Sequence, residues 1–416
     1  MQRTLKFAKY LPLFQWKPFI IKADLTPAEE KDGFLLNELS DEVVIYNAFY
    51  PRFTKSAKDD QVSKNVGGKV SWLRKHIAQC LRAIACIPDD RIFWLPFALK
   101  RALKAIREKS IDVIYTTSNP YTNHLIGYML KIITKKPWVA DFRDPWTENI
   151  YHSARYYRSP FSPLRKRIDI FLEKRIVRNA DRIIGTTEEI VDSFVGRYGG
   201  ARDVKYAVIT NGYDADDFLL QQPGEKDAQK PFVICYCGSF RRVSPVNFLN
   251  ALRKVIDEHP EIENDVRVSF VGHVPAEMIS HIRRLRLERQ VDLIGYKTHK
   301  DALKYLLNSD LLLLILTSDA REKLILPGKI FEYLAANKPI LALLPEGPAS
   351  EMISKYQAGK VVHPESIDEI KAAIYQYYQA HKNGGIPGPN SQNIDSFERK
   401  ELTKHLADIF ESALVR

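Results

Sequence analysis

The stretch LPGKIFEYLAANKPILALLPEGPASE, residues 326–351, sets the pattern that the second half of the chain repeats. A turn at Gly328 is followed by apolar residues at helical spacing, which predicts a short helix over 328–337. Asn337 can close that helix in a left-handed conformation, and the proline after it prevents continuation. The apolar run 340–344 then predicts a buried strand that ends in a turn rich in proline and glycine.

This order of loop, helix and strand predicts a binding site at the start of the helix. The turn at Gly328 and the first helical N–H groups would lie beside Lys329, an arrangement that suits a phosphate. Glu332, one turn further on, could accept two hydrogen bonds from a ribose diol. The alternative interpretation is an ordinary helix start with a solvated glutamate, and this stretch alone does not separate the two.

The first half of the chain alternates strand and helix patterns after an opening helix at 4–16 that Pro12 interrupts. Strands are predicted at 19–21, 42–46, 111–117, 137–141, 180–185 and 206–210. Helices are predicted at 71–86 and 96–108, after Asn119-Pro120, and from Ser162-Pro163 onward. No strand pattern precedes the first helix.

A polar linker at 219–230 is followed by a second alternating series. Its predicted strands are 232–237, 266–271, 291–294, 311–316, 340–344 and 360–362, with helices between them. A connector at 383–395 leads to a terminal helix at 396–414. Two such series predict two doubly wound, Rossmann-like α/β domains that face a cleft, with boundaries at 1–213, 214–390 and 391–416.

Composition fits a globular protein with an anionic partner. The 416 residues carry a formal charge of +11, which favours phosphate, lipid head groups or nucleic acid as partners. Four cysteines form no disulfide framework, and Cys235 and Cys237 are expected to be core thiols without a metal. No apolar run reaches the roughly 18 residues that span a membrane, and no signal peptide opens the chain. We expect a cytoplasmic protein, attached to the inner membrane face at most peripherally.

Candidate binding residues follow the strands of the second half, where α/β sheets bind ligands. Arg241 and Arg242 could clamp a diphosphate, and Lys329 lies at the same edge of the sheet. Together with the Glu332 carboxylate, these cations describe a nucleoside diphosphate better than nucleic acid. The full set of predicted binding residues is Gly238, Ser239, Arg241, Arg242, Gly272, Tyr296, Gly328, Lys329 and Glu332.

Motifs of several enzyme classes are missing, namely GxGxxG after a strand, GxxxxGK[ST], HExxH and GxSxG. The sequence DFRDPW at 141–146 places two carboxylates and an arginine at a strand end. Pairing of Arg143 with Asp141 or Asp144 is the preferred interpretation over a paired-acid site. His124, one helical turn beyond a strand end, is a candidate, although a lone histidine is more often structural.

The segment 151–182 holds nine Lys or Arg residues against three Asp or Glu, interleaved with aromatic residues. Basic and aromatic residues on an amphipathic helix suit an anionic membrane surface. A solvated helix face is the competing interpretation, and the sequence does not decide between them.

With these positions assembled, the chain resembles retaining glycosyltransferases of family four, which have the two-domain GT-B fold. The resemblance covers nearly the whole length, and its DFRDPW and PGKIFEYLA blocks are similar to bacterial members of surface polysaccharide or lipopolysaccharide biosynthesis. The segments that carry it are RTLKFAKYLPLFQWKP (3–18), IDVIYTTSNPYTNH (111–124), PWVADFRDPWTEN (137–149), NADRIIGTTE (179–188), VITNGYDADDF (208–218), CYCGSF (235–240), VSFVGHV (268–274), VDLIGYKTHKDALKYLLNSDLLLLI (291–315) and LPGKIFEYLAANKPILAL (326–343).

The resemblance implies a hexosyltransferase that moves a sugar from a nucleotide-diphosphate donor to a lipid-linked or glycan acceptor. The C-terminal domain would hold the donor and the N-terminal domain the acceptor, with the last helix packing back on the N-terminal domain. No cofactor or metal is implied. Glu332 matches the family's ribose-binding glutamate, Arg241 or Arg242 falls near its phosphate-binding pair, and His124 loosely matches a histidine that contacts the donor sugar.

Two departures from the family pattern leave alternatives open. Leu324 stands where the family has its first glutamate, with Glu322 out of register, and no strand with a Gly-rich loop precedes the first helix. A non-catalytic or degenerate GT-B homologue, inactive as a truncated chain, is therefore the second hypothesis. A nucleotide-sugar epimerase is the third, and it would need a carboxylate and histidine set that the sequence does not locate.

Overall fold

The structure is a computed structural model that describes residues 2–25, 33–51, 85–149, 152–153, 156–157, 162–219, 231–240, 243–317, 326–385, 388–389 and 394–415. The chain divides into two compact units, residues 1–210 with 403–416 (unit 1) and residues 211–402 (unit 2). The sequence pattern puts the boundaries after residues 213 and 390. Most of the helix predicted at 71–86, the linker 220–230, Arg241, Arg242, Glu322 and Leu324 lie outside the described residues.

Unit 1 alternates strands and helices as the sequence pattern predicts. Its elements are α1 Gln2–Tyr10, β1 Phe19–Ala23, β2 Val44–Ala48, α2 Leu95–Glu108, β3 Ile114–Thr117, α3 Thr122–Thr134, β4 Trp138–Phe142, α4 Ser162–Asn179, β5 Arg182–Gly185, α5 Glu188–Tyr198, α6 Arg202–Lys205 and β6 Tyr206–Val208. Pro12 ends α1 as predicted, and the chain continues as a short 3-10 helix over Leu11–Phe14.

The strands of unit 1 form two parallel sheets, one of β1 and β2 and one in the order β3-β4-β5-β6. Among the described residues, no strand joins the free edge of β1 to the free edge of β3. All five residues of β1 are half-buried, whereas all five of β4 are buried. A strand buried on both faces needs neighbours and helices around it, and β4 has them because β3 and β5 flank it.

Unit 2 begins with the short helix α7 Ala215–Leu219 and continues as an unbroken α/β series. Its elements are β7 Phe232–Cys237, α8 Val246–Glu258, β8 Val266–Val271, α9 Ala276–Arg284, β9 Val291–Gly295, α10 His299–Leu307, β10 Leu311–Ile315, α11 Lys329–Ala335, β11 Ile340–Leu343, α12 Pro348–Lys355, β12 Gly359–Val362, α13 Ile367–Lys382 and α14 Arg399–Leu414. Most of α14, residues 403–414, belongs to unit 1, where Phe410 packs edge-on against Trp16 and Tyr115.

The six strands described in unit 2 are all parallel, in the order β12-β11-β10-β7-β8-β9. Successive crossovers run outward from β7 to β9 and then outward from β10 to β12, so helices cover both faces. Alternate side chains of β7 enter separate cores: Ile234 and Tyr236 face one, and Cys235 faces the other. The prediction of two Rossmann-like α/β halves is confirmed.

Candidate functional site

The strand order of unit 2 reverses between β7 and β10, and open α/β sheets bind ligands beyond the strand ends at such a point. Pairing between these two strands joins Leu311 and Leu312 to Ile234 and Cys235. Beyond it, the buried Tyr333 hydroxyl bridges the strands. It accepts the Cys237 N–H at 3.1 Å and donates to the Leu313 carbonyl at 3.2 Å. Burial raises the pKa of Tyr333 well above its usual value, so the hydroxyl keeps its proton.

Glycines at the ends of β7 and β8 let the backbone come close to other groups. Gly238 and Gly272 have φ angles of +150° and +136°, which disfavour any other residue. A side chain on Gly272 would overlap the Gly238 carbonyl group. One on Gly238 would place its Cβ 2.7 Å from the Lys329 ammonium nitrogen. At these strand ends the glycines carry no side chain to cover the backbone, and Lys329 extends over it.

Lys329 places a cation at this edge of the sheet. Its Nζ lies 4.2 Å from the centre of the Tyr236 ring and donates to the Tyr236 hydroxyl at 3.1 Å. Tyr236 is itself held by stacking on Phe240, with ring centres 4.2 Å apart. Burial lowers the pKa of Lys329 to about 8, although Cys237 and Glu332 act in the opposite direction. Among the described residues no carboxylate forms an ion pair with this ammonium group. Its positive charge can therefore attract a bound anion.

Glu332 lies one turn after Lys329 on α11 and belongs to a small charged cluster. Its Oε1 is 2.9 Å from Nε2 of His299, the first residue of α10. Nδ1 of the same histidine is 3.7 Å from the Asp217 carboxylate on α7. Glu332 and His299 are both partly buried but still reach solvent. A second carboxylate oxygen of Glu332 is left to accept hydrogen bonds from a diol.

Other predicted residues lie at the same strand ends. Ser239 and Tyr296, which follow β7 and β9, are exposed. Gly328 is exposed at the start of α11, and a Cβ built on it would lie 3.8 Å from the side chain of Asn211. Helix α11 has only seven residues, so the predicted binding would rest on side chains rather than on a helix terminus. The roles proposed for Arg241 and Arg242 remain predictions, since both lie outside the described residues.

His124 is fully buried in unit 1. Its Nδ1 is 2.9 Å from the Thr116 hydroxyl, which also accepts the Trp138 indole N–H, and its ring packs on Phe142. Burial lowers the pKa of His124 to about 3, so the imidazole is neutral at physiological pH. Its Nε2 is buried without a hydrogen-bond partner among the described residues. Contact of His124 with a donor sugar remains a prediction.

The first carboxylate of DFRDPW has a partner that the sequence did not suggest. Asp141 forms a buried, bidentate pair with Arg3 of α1 at 2.8 and 3.1 Å, and Tyr115 donates to the same carboxylate. Arg3 also donates to the carbonyls of Ile209 and Thr210. Of the two partners expected for Arg143, Asp141 is therefore excluded, and pairing with Asp144 remains a prediction. Both oxygens of the Asp141 carboxylate accept hydrogen bonds, which agrees with the preferred interpretation that this acid is structural rather than catalytic.

For the segment 151–182, attachment to an anionic membrane surface remains a prediction. Tyr157 donates to Asp169, and Tyr156 packs against the Arg165 guanidinium, so both half-buried tyrosines contact buried charges of the following helix. Only Phe171, among the described aromatic residues of this segment, is strongly exposed, at 55%. No helix among the described residues is long and apolar enough to cross a membrane.

Sequence reasoning missed Tyr236, His299 and Tyr333 as parts of the site. Tyr236 reads as one more apolar strand residue, and Tyr333 as one more buried helical residue. His299 is 33 residues from Glu332, and no local pattern connects the two. A rule that examines every polar residue within one turn of a strand end would have selected His299 but not the tyrosines.

The fold and site together define a protein of two Rossmann-like units in which the second holds a cation and a carboxylate at its topological switch point. Comparison with known families agrees with that class. Residues 219–383 match the family described as "Glycosyl transferases group 1", and residues 41–217 match "Glycosyltransferase Family 4". These matches, together with the fold, support a GT-B glycosyltransferase that uses a nucleotide-sugar donor.

Solved structures with the same fold are distant in sequence. Sucrose-phosphate synthase from Thermosynechococcus elongatus is 12% identical, with a TM-score of 0.65 over 99% of this chain and 92% of that one. WaaG, a glycosyltransferase involved in lipopolysaccharide biosynthesis, is 12% identical, with a TM-score of 0.57 over 98% and 95%. UDP-GlcNAc 2-epimerase from Methanocaldococcus jannaschii is 12% identical, with a TM-score of 0.54 over 99% and 97%. A comparison with curated protein sequences gave no significant match.

Proposed function

We propose that this protein is a retaining hexosyltransferase that moves a sugar from a nucleotide-diphosphate donor, bound by unit 2, to a lipid-linked or polysaccharide acceptor. Unit 1 is proposed to bind the acceptor. The observation that carries the proposal is the placement of Lys329 over the bare Gly238 backbone, one helical turn from Glu332, at the strand-order switch. The similarity to WaaG favours an acceptor of the cell surface, because that protein acts in lipopolysaccharide biosynthesis.

Each donor group has a chemical counterpart in this arrangement. The diphosphate lies beside Lys329, where only a residue without a side chain at Gly238 leaves room. The ribose hydroxyls donate to the Glu332 carboxylate, whose Oε1 is already fixed by His299 at 2.9 Å. Arg241 and Arg242 supply further charge to the diphosphate in this proposal.

The reaction needs stabilisation of the leaving diphosphate more than it needs a protein base. The bond between the sugar's anomeric carbon and the phosphate oxygen breaks, and the acceptor oxygen bonds to the same carbon on the same face. The proton of the acceptor hydroxyl passes to the departing phosphate oxygen. Lys329 stabilises the negative charge that develops on that phosphate, and the proposal includes no metal ion or other cofactor.

A nucleotide-sugar epimerase is the second candidate, and one observation favours it. Such an enzyme needs a histidine and carboxylates together, and His299 lies between Glu332 and Asp217. The two candidates make different products. Incubation of a nucleotide-sugar without any acceptor would produce an epimer, visible by NMR, only with the epimerase.

Nucleotide binding tests the proposed function directly. UDP, GDP, ADP and CDP are compared by titration calorimetry, and the tightest is compared with its 2′,3′-dideoxy analogue. Because hydrogen bonds to a charged group contribute about 1.5–3 kcal/mol, loss of the diol is expected to weaken binding at least about tenfold. Glu332→Ala should bind both forms equally, whereas the exposed Glu288→Ala should behave like the wild type. A screen of nucleotide-sugars, read as nucleotide release, then identifies the donor.

Two results would overturn the proposal. One is the absence of binding to every nucleoside diphosphate by folded protein, which would favour the non-catalytic homologue. The other is unchanged discrimination in Glu332→Ala, which would remove this carboxylate from the ribose site.

A further inference from the structure

Helix α4 of unit 1 departs from an ordinary surface helix, because it buries three charged residues and exposes large apolar ones, although Ile176 and Val177 are buried as usual. Its charged residues Arg165, Asp169 and Glu173 are buried, whereas Leu164 and Phe171 are 49% and 55% exposed. A surface helix normally buries its apolar stripe and exposes its charges. This arrangement leaves large apolar side chains in water on the outer face of this helix.

The buried charges of α4 have structural partners inside unit 1. Arg165 donates to the carbonyls of Cys86 and Pro88 at 2.8 and 2.7 Å. Glu173 accepts the Trp146 and Thr147 backbone N–H groups at 3.1 and 3.2 Å. Asp169 and Glu173 are the only acids of α4, so their burial removes all negative charge from its surface.

The outer face of the neighbouring helix α3 continues this surface. Helices α3 and α4 contact each other and are consecutive crossovers of one parallel sheet, so their outer faces lie side by side. Helix α3 contains no acidic residue. We call the combined surface the α3–α4 face, and its exposed residues are Met129, Ile132, Ile133, Leu164, Lys166, Arg167, Ile170, Phe171, Lys174, Arg175 and Arg178.

We infer that the α3–α4 face docks on an anionic lipid bilayer. The face carries six large apolar side chains and five cations, and neither helix exposes an acid. Apolar side chains that enter the head-group region and cations that meet anionic lipids are the two contributions that hold a peripheral protein. The charge complementarity therefore selects one partner.

A second copy of the chain fits this surface less well. A twofold contact would place the same patch on both partners, so five cations would face five cations at short distance. An anionic bilayer supplies the opposite charge and also accepts the apolar side chains. The inference rests on the proposed function, because docking on a membrane would bring the enzyme to a lipid-linked acceptor.

Vesicle binding by the full chain tests the inference. The probes are vesicles of phosphatidylcholine alone and vesicles with about 30% phosphatidylglycerol, separated from free protein by flotation. Each Lys or Arg near an anionic surface contributes about 1 kcal/mol, which is roughly fivefold in partitioning. Reversing the charge of Lys174 and Arg178 with Lys174→Glu/Arg178→Glu should therefore lower binding at least about 25-fold. The matched control Arg283→Glu/Arg284→Glu changes the net charge equally on unit 2 and should bind as the wild type does.

Apolar insertion is tested separately with Phe171→Ser, which should weaken binding to the anionic vesicles without changing net charge. An unchanged tryptophan-detected unfolding transition in each variant shows that unit 1 folds, because all five tryptophans precede residue 211. Retention of nucleotide binding keeps failure of this inference distinct from failure of the proposed function. The inference is overturned if wild-type protein ignores anionic vesicles, or if the charge-reversed pair and its control bind alike. It is also overturned if the wild type dimerises and Phe171→Ser dissolves the dimer, since the face is then a self-interface.

Discussion

The protonation state of Lys329 predicts how nucleotide affinity depends on pH. In the free protein, burial against Tyr236 lowers the pKa of this lysine to about 8. A bound diphosphate stabilises the ammonium form and raises the pKa again. Binding therefore needs a proton that is present below pH 8 and increasingly absent above it. The affinity should be full near pH 7 and should fall as the pH rises through 8.

The size of this effect follows from the two protonated fractions. With a pKa of about 8, roughly nine-tenths of the lysine is charged at pH 7 and roughly one-tenth at pH 9. The affinity should consequently fall about tenfold over this interval, or about 1.4 kcal/mol. The terminal phosphate loses its last proton near pH 6, so the ligand contributes little to the change.

Titration calorimetry at pH 7, 8 and 9 with the tightest nucleoside diphosphate measures this dependence. Lys329→Arg keeps its charge throughout, so its affinity should vary less than about twofold. Unfolding caused by Lys329 cannot account for this loss of affinity, because the contribution of Lys329 to stability changes with pH in the opposite direction. The unfolded lysine binds its proton more tightly than the folded one, so this residue contributes more stability as the pH rises from about 8 to about 10.5. An equal decline in the wild type and Lys329→Arg would refute the assignment of Lys329 to the phosphate site.

Two further predictions concern stability, and the five tryptophans help to separate the units because all precede residue 211. Asp141→Asn leaves the buried Arg3 charge without its carboxylate, so we expect the fluorescence-detected unfolding of unit 1 to lose about 3–5 kcal/mol; a loss below about 1 kcal/mol would contradict a structural role for this pair. Tyr333→Phe leaves the Cys237 N–H and the Leu313 carbonyl without a partner, and it should destabilise unit 2 by about 1–3 kcal/mol in calorimetry. A shift of the tryptophan transition instead would show that this mutation acts outside unit 2.

The regular part of the fold could be predicted because its periodicity is local. The run Leu311–Leu316 indicates a strand buried on both faces, and β10 has all five of its residues buried. Helix α8 occupies 246–258, the range that the apolar spacing predicts. The division of the unit 1 strands into two parallel sheets among the described residues could not be predicted, because strand pairing depends on neighbours that are remote in sequence.

The site shows the same division between local and remote information. Gly238, Gly272, Lys329 and Glu332 were selectable because each follows a strand or begins a helix, positions that the chain pattern marks. The partners Tyr236 and His299 lie 93 and 33 residues from the groups they contact, and only the strand order brings them together. For the same reason the sequence could not show that the Asp141 carboxylate is occupied by Arg3.

By itself, the sequence determined the α/β class, the division into two similar halves and the cation and carboxylate of the stretch 326–351. The tertiary structure alone decided that Lys329 lies over the backbone of Gly238, that His124 is buried, and that α4 exposes Phe171 while it buries Glu173. The physical reason is that side-chain spacing reports which residues share a face of one element. What that face meets, whether water, a neighbouring strand or a buried charge, depends on contacts between elements that are far apart in the chain.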